Sequence, residues 1–495
     1  MNKTFTKVSF RRAVQKRFYS DSPSDSFTSN YDIVIVGGGI AGSTLANALG
    51  SSNVFKDKKV ALIDPAPLNK ISQWNPPMDR FENRTVQITG ANQKYLSSIG
   101  IWDHLYKERV QPYSHVIVTD QTSQAKLEFD NRSLLISENH SPAYLVENSN
   151  LLSACLKSVS KNFSESKNID IYQDSKVVSI SDNRNSPSDN DWPLLHLSNG
   201  KSLKARLLVG TDGINSLVRK YANIDTNGWD YNQFGNVANL CFDKYNTTAY
   251  QRFLPSGPIA VLPLPNGFAN LVWSMDSQIS QKLKLVSDKN FIKFVNLAFR
   301  LHNHSDFMYL LNLLNPDGSV PDHVNFDQEC LWRLNKTSFD QNSSLDLSES
   351  LSNSTMYPPQ VIEISPNSRQ SFPLRLRIAD KFYSNRVALV GDAAHTMHPL
   401  AGQGLNTGIS DVISLSNILK DAVLSGSDIG STEYVLAKYN SERYWSNAAL
   451  QGSIDKLWRL FRSQNPIVSN FRRMGMDLID HFPSFKNQII KSTML

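Results

Sequence analysis

Hydrophobic and polar positions along this chain fall into three textures. The first is a short, almost wholly apolar run that ends in a turn. Tyr31-Asp32-Ile33-Val34-Ile35-Val36 runs into Gly37-Gly38-Gly39, and Val60-Ala61-Leu62-Ile63 into Asp64. Ala205–Val209 runs into Gly210-Thr211-Asp212-Gly213, and Val387–Val390 into Gly391-Asp392. Runs with few polar interruptions predict strands buried on both faces. Helical spacing follows two of them, in Leu45, Ala46 and Leu49 and in Leu405, Ile409, Val412 and Ile413, and it also follows Tyr144–Asn148, in Leu151, Leu152, Cys155 and Leu156. Strand, turn and helix in alternation predict an α/β nucleotide domain.

The second texture fills 221–369, where short alternating runs are broken by Pro and Gly. Asn236–Phe242, Gln251–Leu254, Ile259–Leu264 and Phe268–Met275 predict an antiparallel sheet, and 111–139 is read as an excursion into it. Residues 334–356, rich in Ser, Asn and Asp, read as an exposed insertion. After 431 the spacing is helical throughout. Lys456, Arg459, Arg462, Arg472 and Arg473 interleave there with Trp458, Phe461 and Phe471. Core-packing helices with solvated charges are favoured over an amphipathic surface for a membrane or partner. The predicted architecture is a Rossmann-type nucleotide domain (31–220 and 370–430) interrupted by a substrate-facing sheet (221–369), with a helical region at 431–495.

Composition adds limits. With 495 residues, 40% of them hydrophobic, the chain can bury a large core. No apolar run reaches the roughly 18 residues of a membrane-spanning helix. Cys155, Cys241 and Cys330 lie far apart with no CxxC, against a disulfide framework or a zinc site and for a reducing compartment. The net charge of +6 is local, because Lys3, Lys7, Arg11, Arg12, Lys16 and Arg17 precede the first acidic residue and the remainder is balanced. An acid-free basic start bearing Ser and Thr, without an apolar stretch, reads as a mitochondrial transit peptide over 1–19, followed by a linker at 20–30. Arg17-Phe18-Tyr19-Ser20 resembles a matrix-protease site cut after Tyr19. The balanced body carries no basic patch for nucleic acid.

The chemistry sits at the turns. Gly37, Gly39 and Gly42 form G-x-G-x-x-G between a strand and a helix. In that context Gly37 makes the turn, Gly39 admits a pyrophosphate and Gly42 lets helix and strand pack. Asp64 follows at the distance of a ribose-binding carboxylate. The fingerprint alone does not separate FAD from NAD. In the second cluster Gly391-Asp392 ends a strand, Pro399 sits in the loop, and Gly402, Gly404, Leu405 and Asn406 open a helix. A helix start offers unpaired N–H groups and positive partial charge, its glycines admit a ligand, and Asp392 can hold a polyol hydroxyl.

From Gly391, G-D-A-A-H, then Pro, then G-Q-G-L-N resembles the second flavin motif of the p-hydroxybenzoate hydroxylase-like monooxygenases. Within that family RTVQIT (84–89), AYLVEN (143–148), QRFLPSGPIAVLPLP (251–265), SFPLRL (371–376) and L-x-x-Y-x-x-x-R (436–443) resemble the ubiquinone-biosynthesis branch, over nearly all of 31–495. The resemblance implies FAD, with Asp392 at the ribityl chain and Arg84 and Asp212-Gly213 near the adenosine and pyrophosphate. It implies hydroxylation of ring C5 of a polyprenyl-hydroxybenzoate through a C4a-hydroperoxide of the flavin. Implied partners are O2, ferredoxin and its reductase, and other ubiquinone-synthesis proteins, on the matrix side of the mitochondrial inner membrane. The single dinucleotide fingerprint fits one FAD and no second dinucleotide domain. His395 and His398 flank the flavin motif and read as structural donors, so no catalytic side chain is named. Two other readings remain open, an NADPH-dependent hydroxylase of a soluble phenol and a non-catalytic flavoprotein scaffold.

Overall fold

The computed structural model describes residues 28–77, 79–130, 143–166, 168–181, 192–339, 356–482 and 486–487. Its first sheet is built on parallel strands in the order Val387–Leu389, Ser202–Gly210, Thr28–Val36, Val60–Ile63 and Ile169–Tyr172. Ile33, Val34, Ile35, Ala61, Leu62, Leu207 and Leu208 are all fully buried there, as uninterrupted apolar runs require. Each such aliphatic side chain contributes on the order of 1.5–3 kcal/mol relative to an exposed one. The helices Ile40–Gly50, Asn148–Ser166 and Gly404–Leu424 cover the sheet. Because the strands are parallel, their carboxyl ends share one edge. Gly37, Asp64, Thr211-Asp212-Gly213 and Gly391-Asp392 therefore line up there, where open α/β sheets take their ligands.

The second sheet follows the order His395–Thr396, Gln370–Ala379, Thr226–Phe242, Phe268–Asp276, Ile259–Pro263, Thr248–Phe253, His115–Asp120 and Lys126–Asp130. Its strands are antiparallel except where Thr248–Phe253 runs parallel to His115–Asp120. A small third sheet joins Thr85–Ile88, Ala143–Glu147 and Gln111–Tyr113. The helices Ala437–Arg462 and Pro466–His481 close the chain.

Three sequence readings need correction. Thr28–Asn30, placed in a linker, already pair with Ser202–Lys204 as strand. Inside the stretch read wholly as sheet lie the helices Ser277–Leu285, Asp288–Arg300, His304–Asn312 and Phe326–Phe339. Phe291, Phe294, Val295 and Ala298 show the cause, since their helical spacing buries a face against Trp273 and Phe307, an order hidden when the region is read as a block. The last of these helices also runs into the stretch read as an exposed insertion. Residues 340–355 of that insertion and the transit-peptide reading at 1–19 lie outside the described residues.

Candidate flavin site

Gly37 adopts a φ of +109°, and a Cβ there would come within 2.5 Å of the Thr211 carbonyl oxygen. Only glycine lets these two turns touch. Thr211 locks the contact, its hydroxyl donating to the Val36 and Gly37 carbonyls. A Cβ on Gly42 would meet the Gly37 oxygen at 1.9 Å, so Gly42 serves packing, whereas a Cβ on Gly39 would meet nothing within 4 Å. Gly39 thus opens the helix Ile40–Gly50 toward free space, with no side chain capping its N–H groups. Asp64 accepts from the Gly38 and Ala66 N–H groups at 2.6 and 2.7 Å. In this structure its carboxylate shapes the glycine turn, and only its remaining lone pairs can meet a ribose.

Asp212 caps the short helix Leu217–Tyr221 with one oxygen, which accepts from the Leu217 and Val218 N–H groups. Its other oxygen, Oδ1, is buried without a partner. A buried carboxylate oxygen left unpaired is costly, which marks a place where a donor is missing. Arg219 ties this turn to the next, donating to the Ile214 and Ala393 carbonyls. Asp392, in the 3₁₀ turn Gly391–Ala393, is open to solvent yet lies in a recess crowded by protein. That dehydration pushes its carboxyl above the usual range, and His395 partly offsets it.

Pro399–Ala401 form a tight 3₁₀ turn closed by Gly402 at φ +60°. Gly404 begins the helix with no side-chain cap, and nothing lies within 4 Å of where its Cβ would be. Leu405 is half-buried beside it. The side chain of Asn406 is occupied by protein. Nδ2 donates to the Gln87 carbonyl at 2.8 Å, and Oδ1 accepts from Thr89 N–H and Asn92 Nδ2. The side chain pins the strand Thr85–Ile88 to the helix start, leaving the backbone N–H to face a ligand. Arg84, just before that strand, is exposed.

The sequence reading missed the residue that holds this edge together. Asp411 is fully buried and accepts from Gly391 N–H (3.1 Å), Arg443 Nε (2.8 Å) and Asn447 Nδ2 (3.0 Å), with His395 Nε2 at 2.6 Å. Burial alone would raise its pKa, but His395 and Arg443 beside it hold it below the ordinary carboxylate value. A lone acid on the apolar helix pattern Leu405, Ile409, Val412, Ile413 was the available signal. His395 is therefore a structural partner. His398 is fully buried, edge-on to Tyr231 at 5.1 Å, with neither ring nitrogen partnered. Burial pulls its pKa down to about 4, so it is neutral near pH 7.

A second unforeseen group holds the Arg84 loop. Glu147 and Arg109 form a buried ion pair at 2.6 Å. Arg109 donates to the Pro77 and Arg80 carbonyls, and Glu147 accepts from Glu82 N–H. On the facing sheet, Asn239 donates to the Phe81 carbonyl and Asn270 to the Asn83 carbonyl.

The family of FAD binding domains matches residues 30–303 and 330–450 of the chain. A protein of Saccharomyces cerevisiae named ubiquinone biosynthesis monooxygenase COQ6, mitochondrial, is 38% identical over 491 residues, 98% of each chain. Its namesake in Schizosaccharomyces pombe is 36% identical over 467 residues, covering 93% of this chain and 91% of that one. The chain belongs to the ubiquinone-biosynthesis monooxygenase family. It is an FAD-dependent monooxygenase. Solved structures share its fold. The p-nitrophenol 4-monooxygenase PnpA of Pseudomonas putida aligns with a TM-score of 0.62 at 17% identity, over 94% of this chain and 98% of that one. PqsL, a probable FAD-dependent monooxygenase of Pseudomonas aeruginosa, aligns at 0.61 and 18% identity, over 90% and 99%.

The edge of the monooxygenase fits such a cofactor on its own terms. Two uncapped helix starts open at Gly39 and Gly404 into free space. A flavin dinucleotide has anionic phosphates and a ring edge to place at such N–H groups, and hydroxyls to offer to Asp212 Oδ1 and Asp392.

Proposed function

We propose that this monooxygenase hydroxylates ring C5 of a polyprenyl-hydroxybenzoate in ubiquinone synthesis. It would work on the matrix side of the mitochondrial inner membrane, beside other proteins of that synthesis, with electrons from ferredoxin and its reductase. The observation that carries the reading is the pair of open helix starts on one sheet edge, joined by Asp212 Oδ1 without a donor. The relatives that share the chain nearly end to end are named for ubiquinone biosynthesis.

In this reading Gly37, Gly39, Asp212 and Gly213 hold the pyrophosphate region of FAD, Gly42 packs the helix against the strand behind them, and Asp64 and Arg84 lie toward the adenosine. Gly391 and Asp392 hold the ribityl chain, while Pro399, Gly402 and the N–H groups of Gly404, Leu405 and Asn406 face the ring. Bound FAD would supply the redox chemistry, passing two electrons from the donor to O2 so that one oxygen atom enters a ring C–H bond as hydroxyl and the other, with two protons, leaves as water. The positive end of the helix Gly404–Leu424 stabilises negative charge placed against it. Water is kept out by an apolar wall. Leu400 of the cradle loop lines a narrow crevice together with Phe253, Leu254 and Pro258 at one turn of the second sheet and Trp458, Phe461 and the Arg462 side chain of the C-terminal helix. A phenol with an isoprenoid tail suits a wall of that composition.

The test uses the purified chain beginning at Ser20. A flavin spectrum, reduction by a ferredoxin system and not by NADPH, and a polyprenyl-hydroxybenzoate gaining one oxygen at C5 are the expected results. Fast reduction by NADPH with turnover of a soluble phenol would replace the reading. Folded protein that takes up no FAD would end it.

A further inference from the structure

Two polar side chains at the entrance to the cradle loop have no partner in the protein. His395–Thr396 form a short strand and His398 keeps an extended backbone, so side chains alternate along the stretch. His395 turns to Asp411, and Thr396 and His398 take the opposite side. There Thr396 Oγ1 and both ring nitrogens of His398 are buried without a hydrogen bond. Bare polar atoms in an interior are costly. A leucine at 398 would avoid that cost, so packing alone does not call for an imidazole.

The polar groups around them are already spent. Gln451, buried on the C-terminal helix, donates to the Arg377 and Thr396 carbonyls, both at 3.1 Å. Asp455, one turn further, accepts from the Tyr231 hydroxyl at 3.2 Å and from Arg459 Nε at 2.8 Å. Tyr231 therefore meets His398 ring to ring, at 5.1 Å between centroids, and brings it no polar atom. The same tyrosine packs on Trp458 at 4.8 Å, with Leu374 and Leu376 beside it. Trp458 in turn lines the crevice that also holds Leu400, two residues beyond His398. The imidazole thus stands where the cradle loop, the second sheet and the C-terminal helix meet. Apolar surroundings with a few unspent polar atoms suit a flat aromatic ligand that carries few polar groups.

We propose that His398 orients the substrate, its imidazole accepting a hydrogen bond from the phenol hydroxyl of the ring that is hydroxylated. The inference rests on the function reading above and names the side chain that recognises the phenol. His398 is neutral near pH 7, which leaves one ring nitrogen as an acceptor and the other as a donor. A phenol O–H is the complementary donor, and Thr396 Oγ1 offers a second polar atom on the same side. One polar anchor in apolar surroundings fixes which way the ring lies. An acceptor that draws on the O–H also enriches the ring carbons next to the hydroxyl in electron density, and an electrophilic oxygen atom is added at such a carbon. A ring without the hydroxyl leaves the imidazole bare, so the site should reject it.

Equilibrium dialysis with the FAD-loaded full-length chain tests this, using 3-geranyl-4-hydroxybenzoate, whose hydroxyl lies beside C5, and 3-geranylbenzoate, which lacks it. Wild type should hold the hydroxylated ligand at least tenfold more tightly. His398→Leu should hold the two alike, with unchanged FAD content and a thermal midpoint at pH 7 no lower than that of wild type. His398→Gln, which keeps a donor and an acceptor, should regain a preference of at least threefold, and it carries the test if the leucine variant does not fold. A wild type without preference, or a leucine variant that keeps the full preference, overturns the proposal. So does a leucine variant that loses both ligands equally, because the imidazole then only supports the loop. Failure of the function reading would look different, as a wild type that holds neither ligand.

Discussion

Arg443 donates its Nε–H to Asp411 at 2.8 Å inside the protein, joining the C-terminal helix to the helix that begins the flavin cradle. The same carboxylate meets Gly391 N–H and His395, so one buried charge fixes the turn bearing Asp392 and the loop leading to Gly402. Four and seven residues back from Arg443, on the same face, Tyr439 and Leu436 are fully buried, and Tyr439 donates to the Leu389 carbonyl at 2.8 Å. The L-x-x-Y-x-x-x-R pattern is thus a clasp that holds the C-terminal helix to the cofactor edge.

Opening that clasp should affect stability and cofactor together. Arg443→Met leaves Asp411 charged, buried and short of its main cation, at a cost of about 3–5 kcal/mol. Asp411→Asn alone strands Arg443 and should cost a similar amount. In the double variant the two losses should fall well short of adding. Urea denaturation of the four proteins gives the coupling, and FAD content should fall in step. Additive losses would show that the two side chains act independently.

The glycines separate packing from binding. Gly42→Ala drives a methyl group into the Gly37 carbonyl, so the apo-protein should be strongly destabilised or fail to fold. Gly39→Ala places the same methyl in open space. Its apo-protein should melt within a degree or two of wild type, while FAD dissociation rises tenfold or more because the methyl occupies the approach to the helix start. Thermal melting of the apo-proteins and flavin fluorescence titration distinguish the two. Unchanged FAD affinity in Gly39→Ala would move the pyrophosphate away from this turn.

The asparagine contacts between the sheets predict a related effect. Asn270 is buried and bonds both the Asn83 carbonyl and Asn239 Oδ1 at 3.0 Å. Asn270→Leu leaves two buried acceptors short of donors, at about 1–3 kcal/mol each. Because the loop they hold carries Arg84, FAD affinity should drop more than in Gln281→Leu, a surface control on a neighbouring helix. Equal affinities would show that the loop keeps its place without the sheet.

The sequence was most legible where local chemistry decides geometry. Apolar runs ending at Gly37, Asp64, Asp212 and Gly391 yielded the parallel strands, and parallel order alone brings those ends to one edge. It was less legible where a side chain's partner comes from far along the chain. Nothing near Asn406 reveals that its amide is taken up by Gln87 and Thr89, some 319 and 317 residues away in sequence. Asp411 reads as one polar break in a helix until Arg443 and His395 are brought against it. The exposed apolar face of the last helix, made by Ile467, Phe471, Met474 and Leu478, was masked for a different reason. Periodicity reports that a helix has apolar positions, and a helix with two apolar faces needs its neighbours before either can be called inner or outer.

His398 carries a prediction about acid. Burial without a partner pulls its pKa from 6.5 down to about 4, so between those values the unfolded chain binds a proton that the folded chain refuses. Stability is therefore complete above pH 6.5 and falls as pH drops toward 4, by up to about 1.4 kcal/mol per pH unit for this one group. Asp411, held below the ordinary carboxylate value, adds a loss only at lower pH, where the unfolded carboxylate takes up a proton that the folded one still refuses. His398→Leu should flatten the decline between pH 6.5 and 4.5 and leave the lower limb in place. Urea midpoints of the FAD-loaded protein at pH 7, 6 and 5 measure this directly. A variant as acid-sensitive as wild type over that range would mean that His398 is solvated or paired in solution, and that its two bare nitrogens have found a donor or water.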